Sequence, residues 1–194
     1  MKNPFFTALK IILVFTLLAG AIYPLAITGI AQVLFPYQAN GSIVTINGKA
    51  KGSELLGQDF KNPRYFWPRP SAGAYATVPS GSSNLGPTSD SLKKLIDVRR
   101  KTFIIGNKLP SNTVVPNDML TASGSGLDPH ISPESALLQI NRICAARGYS
   151  ADQMQAVKQL VFKHTENPQL GVFGDKRVNV FNLNKDLDLL KGKK

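Results

Sequence analysis

Cysteine is almost absent. Among 194 residues there is one, Cys144, and only two histidines, His130 and His164. One cysteine cannot close an internal disulfide. One Cys with two His also falls short of the usual zinc arrangements. Acidic residues are scarce: 12 Asp and Glu face 23 Lys and Arg, a formal charge of +11. Such an excess suits nucleic acid or an anionic membrane surface, and its place along the chain decides between them. No charged side chain occurs from Ile11 to Gly48. No internal repeat is visible.

Catalytic signatures are missing too. No Gly-x-x-x-x-Gly-Lys-Ser/Thr loop occurs to cradle phosphates. The Asp-Lys-Thr-Gly-Thr phosphorylation motif of P-type pumps is not there, and Asp175-Lys176-Arg177 departs from it after two residues. Ser125, Asp128 and His130 could suggest a serine hydrolase. However, the Gly-x-Ser-x-Gly elbow is absent, and three residues this close in one loop do not readily reach triad geometry.

What is present begins with an apolar segment. Ile11–Phe35, taken as a helix, would run about 37 Å, against about 30 Å for a bilayer core. Pro24 and Gly29 interrupt it and mark the face expected to pack on partner helices, because small or broken positions allow close approach. Pro36-Tyr37 ends it at an aromatic-belt position. Ala19-Gly20-Ala21 resembles a signal-peptide cleavage site, but the apolar run continues past it to Leu34, which favours an uncleaved anchor. Lys2 and Lys10 place the N-terminus in the cytoplasm, despite Lys49 and Lys51 on the far flank. The expected layout is therefore a cytoplasmic 1–10, a transmembrane helix at 11–36, and an extracytoplasmic α+β domain at 37–194. Nucleic acid is then an unsuitable partner, and the lipid bilayer a required one.

In the domain, Ile43–Ile46 leads to the hairpin dipeptide Asn47-Gly48. Gly52–Gln58 reads as a short helical turn. From Phe60 to Pro87 the chain mixes aromatics with Pro, Gly and Ser, which predicts a long ordered loop packed on the domain. Asp90–Gly106 reads as a helix capped by Ser89, with Leu92, Leu95, Ile96 and Phe103 as its apolar set. Lys93, Lys94, Arg99, Arg100 and Lys101 read as its solvated side. Pro133–Arg147 is the next helix, stopped by Gly148, with Cys144 as a small buried residue. Ser150 and Gln153 form a capping box for another, whose last turn favours His164 as a cation. Arg177–Leu183 alternates like a strand, and Asn184–Leu190 reads as a final helix.

Between these elements lies Thr121–Pro133, which has no hydrophobic period. Gly124 and Gly126 allow unusual backbone angles, while Ser123, Ser125 and Asp128 bond to nearby backbone. Ser132-Pro133-Glu134 is a helix start. The stretch is either a rigid structural turn or a docking surface. In the second case Ser123–Asp128 and Arg69-Pro70-Ser71-Ala72 are expected to lie together, the planar fork of Arg69 bridging Asp128.

From end to end the chain resembles the C subunit of the bacterial Kdp potassium-transporting P-type ATPase. The matching residues are Tyr23-Pro24, Gln38-Ala39-Asn40-Gly41-Ser42, Arg69–Ala72, Ser80-Gly81-Ser82-Ser83-Asn84 and Thr121–Asp128. Gln139, Arg142, Val178-Asn179-Val180, Leu183-Asn184 and Leu187-Asp188 complete the series. The resemblance implies a single-span, non-catalytic accessory subunit of the inner (plasma) membrane. Its partners would be a potassium-channel-like subunit, the ATPase subunit and a small membrane subunit. ATP and potassium would belong to the complex, with no cofactor assigned to this chain. Two family proposals exist: a domain that caps the outer potassium entrance, and a chaperone that raises the ATP affinity of the pump. For the second, Ser80–Asn84 is similar to the Leu-Ser-Gly-Gly-Gln loop of ABC transporters. Here Pro79 replaces Leu, Ser82 replaces Gly and Asn84 comes one residue late. Without the resemblance, the alternative is a membrane-anchored envelope protein binding a small ligand or glycan through its aromatic loop.

Overall fold

A computed structural model describes residues 3–190; Lys2, read above as a flanking charge, lies outside them. The chain divides into two compact units, Met1–Lys51 and Gly52–Lys194.

In the first unit, α1 (Pro4–Leu17) runs through a π turn (Leu18–Ile22) into α2 (Tyr23–Leu34). Pro24 has no N–H to donate and its ring crowds the preceding turn, so a widened turn before it relieves the conflict. The Thr28 hydroxyl donates to the Pro24 carbonyl at 2.8 Å. Pro4–Leu34 is 31 residues, an 18-residue stretch of it averages a hydropathy of 2.3, and it is long and apolar enough to cross a membrane. It starts seven residues before the charge-free run, because Asn3 caps it and Pro4 suits a first helical position. A short α3 (Pro36–Ala39) follows. Then β1 (Ile43–Ile46) and β2 (Lys49–Ser53) pair across Asn47-Gly48. Both turn residues have positive φ, 53° and 72°, as this two-residue hairpin requires.

In the second unit, residues 54–89 run as turns and irregular backbone. Gly52–Gln58 is not a helical turn. Gly52 and Ser53 finish β2, and the Gln58 amide folds back to the Ser53 carbonyl at 2.8 Å. α4 (Asp90–Gly106) follows, with the Ser89 hydroxyl accepting from Leu92 N–H. α5 (Pro133–Arg147) and α6 (Ala151–Lys163) have the expected caps, including the reciprocal Ser150–Gln153 box. α7 (Val180–Leu189) begins four residues earlier than the alternation suggested. The strand read over Arg177–Leu183 is only β5 (Arg177–Asn179), because Asn179 accepts from Asn182 N–H and starts the helix. β5 lies between the two-residue strands β3 (His130–Ile131) and β4 (Thr165–Glu166), antiparallel to both. Ile131 and Thr165 both sit opposite Val178. The fold is α+β. Its core is Phe66, Phe103, Ile131, Ile143, Val157, Val161, Val178, Leu183 and Leu187, with Cys144 buried among them. His164 ends α6 and meets Asp186 at 2.9 Å, a partner in α7 that helix position alone did not reveal.

Candidate functional site

The polar loop at 121–128 and the segment 69–73 lie side by side. Ser123 N–H reaches the Pro70 carbonyl at 3.4 Å. Arg69 Nη1 donates to Asp128 Oδ2 at 2.7 Å, and the two side chains are 21% and 31% exposed. Asp128 Oδ1 accepts from His130 N–H at 3.0 Å and faces His130 Nδ1 at 3.1 Å. Burial pushes the Asp128 carboxyl up, but the His130 hydrogen bonds and the Arg69 guanidinium outweigh it and bring it down to about 2. It is therefore a fixed anion at neutral pH. The Ser125 hydroxyl accepts from Leu127 N–H at 3.1 Å, a bond within its own turn.

A third segment, Ser80–Asn84, joins these two. Gly126 has a φ of 71° and sits so close that a Cβ there would lie 2.9 Å from the Gly81 carbonyl and 3.3 Å from Ser71 Oγ. Only glycine fits this junction. Ser71 Oγ accepts from Tyr75 N–H at 2.9 Å, and the Tyr75 hydroxyl donates to the Arg69 carbonyl at 2.7 Å. Burial, with Asp59 nearby, pushes that hydroxyl up to about 12, so it stays a donor. Gly124, Ser125, Ser80, Ser82, Ser83 and Asn84 face solvent. Two clefts flank this surface. One, about 430 Å³, is walled by Ser71–Gly73, Pro79–Ser83, Leu95 and Arg99. The other, about 740 Å³, mixes Asp118, Asp128 and Asp175 with Arg69, Lys176 and Arg177.

So the structure brings Arg69, Pro70, Ser71, Ser123, Gly126, Asp128 and the Ser80–Asn84 loop together, with Ser123 and Gly126 buried in the junction and Gly124 and Ser125 on its outer side. Pro24 and Gly29 belong to the other unit. A Cβ on Gly29 would meet nothing within 4 Å in this chain.

Several residues matter structurally beyond the roles the sequence suggested. Asn184 Oδ1 accepts from Phe66 N–H at 2.8 Å, and its Nδ2 donates to the Phe66 carbonyl at 3.0 Å. Gln139 does the same for Trp67, at 2.7 and 3.2 Å. Arg142 donates to the Pro63 and Tyr65 carbonyls, to Asn107 Oδ1 and to Gln139 Oε1, and lies 3.7 Å from the Trp67 ring centroid. Burial alone draws its guanidinium down to about 10, still charged at pH 7. Asp118 accepts from Ser132 N–H and from the Ser132 and Ser135 hydroxyls, fixing the start of α5 behind the loop. Gly57 passes under the loop, its N–H 2.6 Å from the Leu127 carbonyl. The available signal was polar residues on otherwise apolar helix faces: Gln139 and Arg142 in α5, and Asn184 in α7.

Chemically, the surface offers preformed hydrogen-bonding groups and one fixed ion pair. Among the described residues, no three His, Cys, Asp or Glu side chains cluster to hold a metal.

Comparison with known proteins is consistent over nearly the whole chain. The family model described as K+-transporting ATPase, c chain (KdpC) matches residues 5–189. The potassium-transporting ATPase KdpC subunit of Methylococcus capsulatus is 47% identical over 195 residues, covering 98% of this chain and 100% of that protein. That of Geobacter sulfurreducens is 46% identical over 187 residues, covering 94% and 96%. That of Polaromonas naphthalenivorans is 47% identical over 199 residues, covering 98% and 97%.

Proposed function

The chain belongs to the KdpC family, the c chains of potassium-transporting ATPases, and from that premise we propose that it stabilises the assembled pump through the polar surface at 69–73, 80–84 and 123–128. As a KdpC subunit it is an accessory part of potassium uptake. In this reading Pro4–Leu34 anchors it in the inner membrane with the N-terminus inside. The domain lies outside, where it docks on the channel-like subunit near the outer potassium entrance. The ATPase subunit and a small membrane subunit complete the complex, and this chain carries out no chemistry of its own.

One observation carries the reading: the neighbouring segments 69–73 and 80–84 and the distant loop 123–128 are locked at one junction whose outer side faces solvent, tightly enough that Gly126 leaves no room for a methyl group. A preformed surface avoids the ordering entropy of binding. Gly126→Ala should force the junction apart, costing about 1–3 kcal/mol of the domain's own stability, and should reduce co-purification with the pump even at temperatures where the variant domain stays folded. Undiminished co-purification would remove this surface from the interface. In the membrane, Gly29→Leu should weaken subunit association in detergent without affecting insertion.

The nucleotide proposal uses the same loop, since Ser80–Ser83 and Arg99 wall one cleft. The two readings need opposite orientations, because ATP is cytoplasmic. Protease added to spheroplasts should digest the domain; full protection would overturn the docking orientation and favour nucleotide binding.

A further inference from the structure

α4 has more apolar surface than the core uses. Ile96 and Phe103 turn inward to the core, where Phe103 is 4% exposed, and Leu92 is half-buried. Arg99 lies nearby, its Nη1 donating to the Leu120 carbonyl at 2.9 Å. Leu95, grouped with the core from its spacing, is instead 39% exposed, while Val98 and Ile105 are 60% and 75% exposed. With Thr102 these form a row at intervals of three, four and three residues, a continuous stripe on one helix face.

The charges beside the stripe are unequally matched. Lys93 meets Asp90 at 3.2 Å and Arg100 meets Asp97 at 3.6 Å. Among the described residues, Lys94 and Lys101 meet no carboxylate. Lys94 is one turn before Val98, and Lys101 is one turn before Ile105, so each ammonium borders an exposed apolar side chain, and Asp90 and Asp97, one turn before the two lysines, are already paired with Lys93 and Arg100. An apolar stripe edged by lysines is the pattern of a helix lying in a membrane interface. The apolar side chains enter the acyl boundary and the lysine stems reach back to the headgroups. The same chain carries a candidate span at Pro4–Leu34. The domain is thus tethered to a bilayer, and even a weak surface affinity acts at high effective concentration.

We infer that this face of α4 docks on anionic phospholipid headgroups, giving the subunit a second, electrostatic hold on the membrane that anchors it. The inference rests on Lys94, Val98, Lys101 and Ile105, which are outside the loops assigned to pump docking, so either reading can fail without the other.

The hairpin tip at 169–173 provides an internal control. Leu170, Val172 and Phe173 are 90%, 77% and 65% exposed. The charges nearby are balanced, since Arg177 pairs with Glu166 at 2.9 Å and Lys176 adjoins Asp175. If hydrophobicity alone governed contact, this tip would report the bilayer better than α4.

The full chain would be reconstituted without other subunits into vesicles of phosphatidylcholine, alone or with about one third phosphatidylglycerol. An environment-sensitive dye would be placed at Val98→Cys or, separately, at Leu170→Cys; Cys144 is 2% exposed and shielded from labelling. The dye at 98 should shift to the blue only in the anionic vesicles, and high salt should reverse the shift. Lys94→Gln and Lys101→Gln should each lower the docked-to-free ratio about fivefold, with an unchanged melting curve. Equal signals in the two vesicle types, or a shift at 170 and none at 98, would overturn the inference. So would a shift at 98 that appears only after the other pump subunits are added, since that would assign the face to a protein.

Discussion

Two irregular segments meet at Pro68, and they are held in opposite ways. The strap at 60–67 has its backbone matched by side chains from distant helices. Asn184 pairs with both polar groups of Phe66, Gln139 with both of Trp67, and Arg142 takes the carbonyls of Pro63 and Tyr65. Three side chains thereby do the work of a neighbouring strand and let Phe66 reach the core at 0% exposure. The loops at 69–84 and 123–128 have long-range bonds on their inner side, Ser123 to Pro70, Gly57 to Leu127 and Arg69 to Asp128, while their outer side depends on its own short side chains, as in Ser71 to Tyr75, Ser125 to Leu127 and Ser82 to Asn84. Long-range polar anchors make a segment part of the fold. Local ones shape it but leave its outer face available for a partner. Substitutions in the strap should therefore act on stability, and those in the loops on assembly.

The largest test of that contrast is Arg142→Ala. It strands two backbone carbonyls, Asn107 and Gln139 in a buried place and removes the stacking on Trp67. The expected loss is about 3–4 kcal/mol in domain stability, measured by denaturant titration of the subunit in micelles. Asn184→Ala comes next. It leaves the Phe66 N–H and carbonyl unpaired without removing a charge, for a loss of about 2 kcal/mol. If either variant unfolds at the wild-type midpoint, that side chain does not hold the strap.

The Arg69–Asp128 pair lies at the boundary. Its side chains are 21% and 31% exposed, between the buried pair that would cost about 3–5 kcal/mol to break and the exposed one worth about 1 kcal/mol or less. The folded Asp128 carboxyl titrates at about 2, below its ordinary 3.8. Its contribution should be complete above pH 4 and lost as the pH falls towards 2. After discounting for solvent screening, that contribution is about 1–2 kcal/mol. The acid limb of the stability curve should flatten in Asp128→Asn. A double-mutant cycle with Arg69→Ala should give a coupling near the lower end of that range. A coupling of about 3 kcal/mol or more would place the pair with the strap, as part of the fold.

Much of this division was legible in sequence, for identifiable reasons. The anchor, α4, α5, α6 and the first hairpin announce themselves through periodicity, caps and Asn47-Gly48. The nearness of Arg69 to Asp128 followed from chemistry, a planar fork seeking a carboxylate. The start of α7 was misplaced because Val178, Val180 and Leu183 alternate as a strand would, whereas Asn179 turns the chain into a helix after three strand residues. β3 and β4 are two residues each, too short to show a period. The amide strap was hidden because Gln139 and Asn184 pair with residues 72 and 118 positions away. The exposed row on α4 was hidden as well, because apolar spacing gives a helix a face without saying whether anything covers it.

The smallest expected effect on stability is the most informative for the loops. Ser125 is exposed, and its hydroxyl accepts one bond from Leu127 N–H, a group that water can satisfy in its place. Ser125→Ala should therefore cost about 0.5 kcal/mol or less in the isolated subunit. At a docking surface the same change removes a hydrogen-bonding group from an interface that excludes water, where an unmatched partner costs about 1–3 kcal/mol. Co-purification with the pump should then weaken about five- to a hundredfold while the domain's melting curve stays in place. If stability and assembly both remained at wild-type values, Ser125 would lie outside any docking interface, and the loop would lose its claim to one; a loss of stability would instead make it part of the fold like the strap. If assembly held but potassium-stimulated ATP hydrolysis stopped, Ser125 would have a role in turnover that docking does not explain.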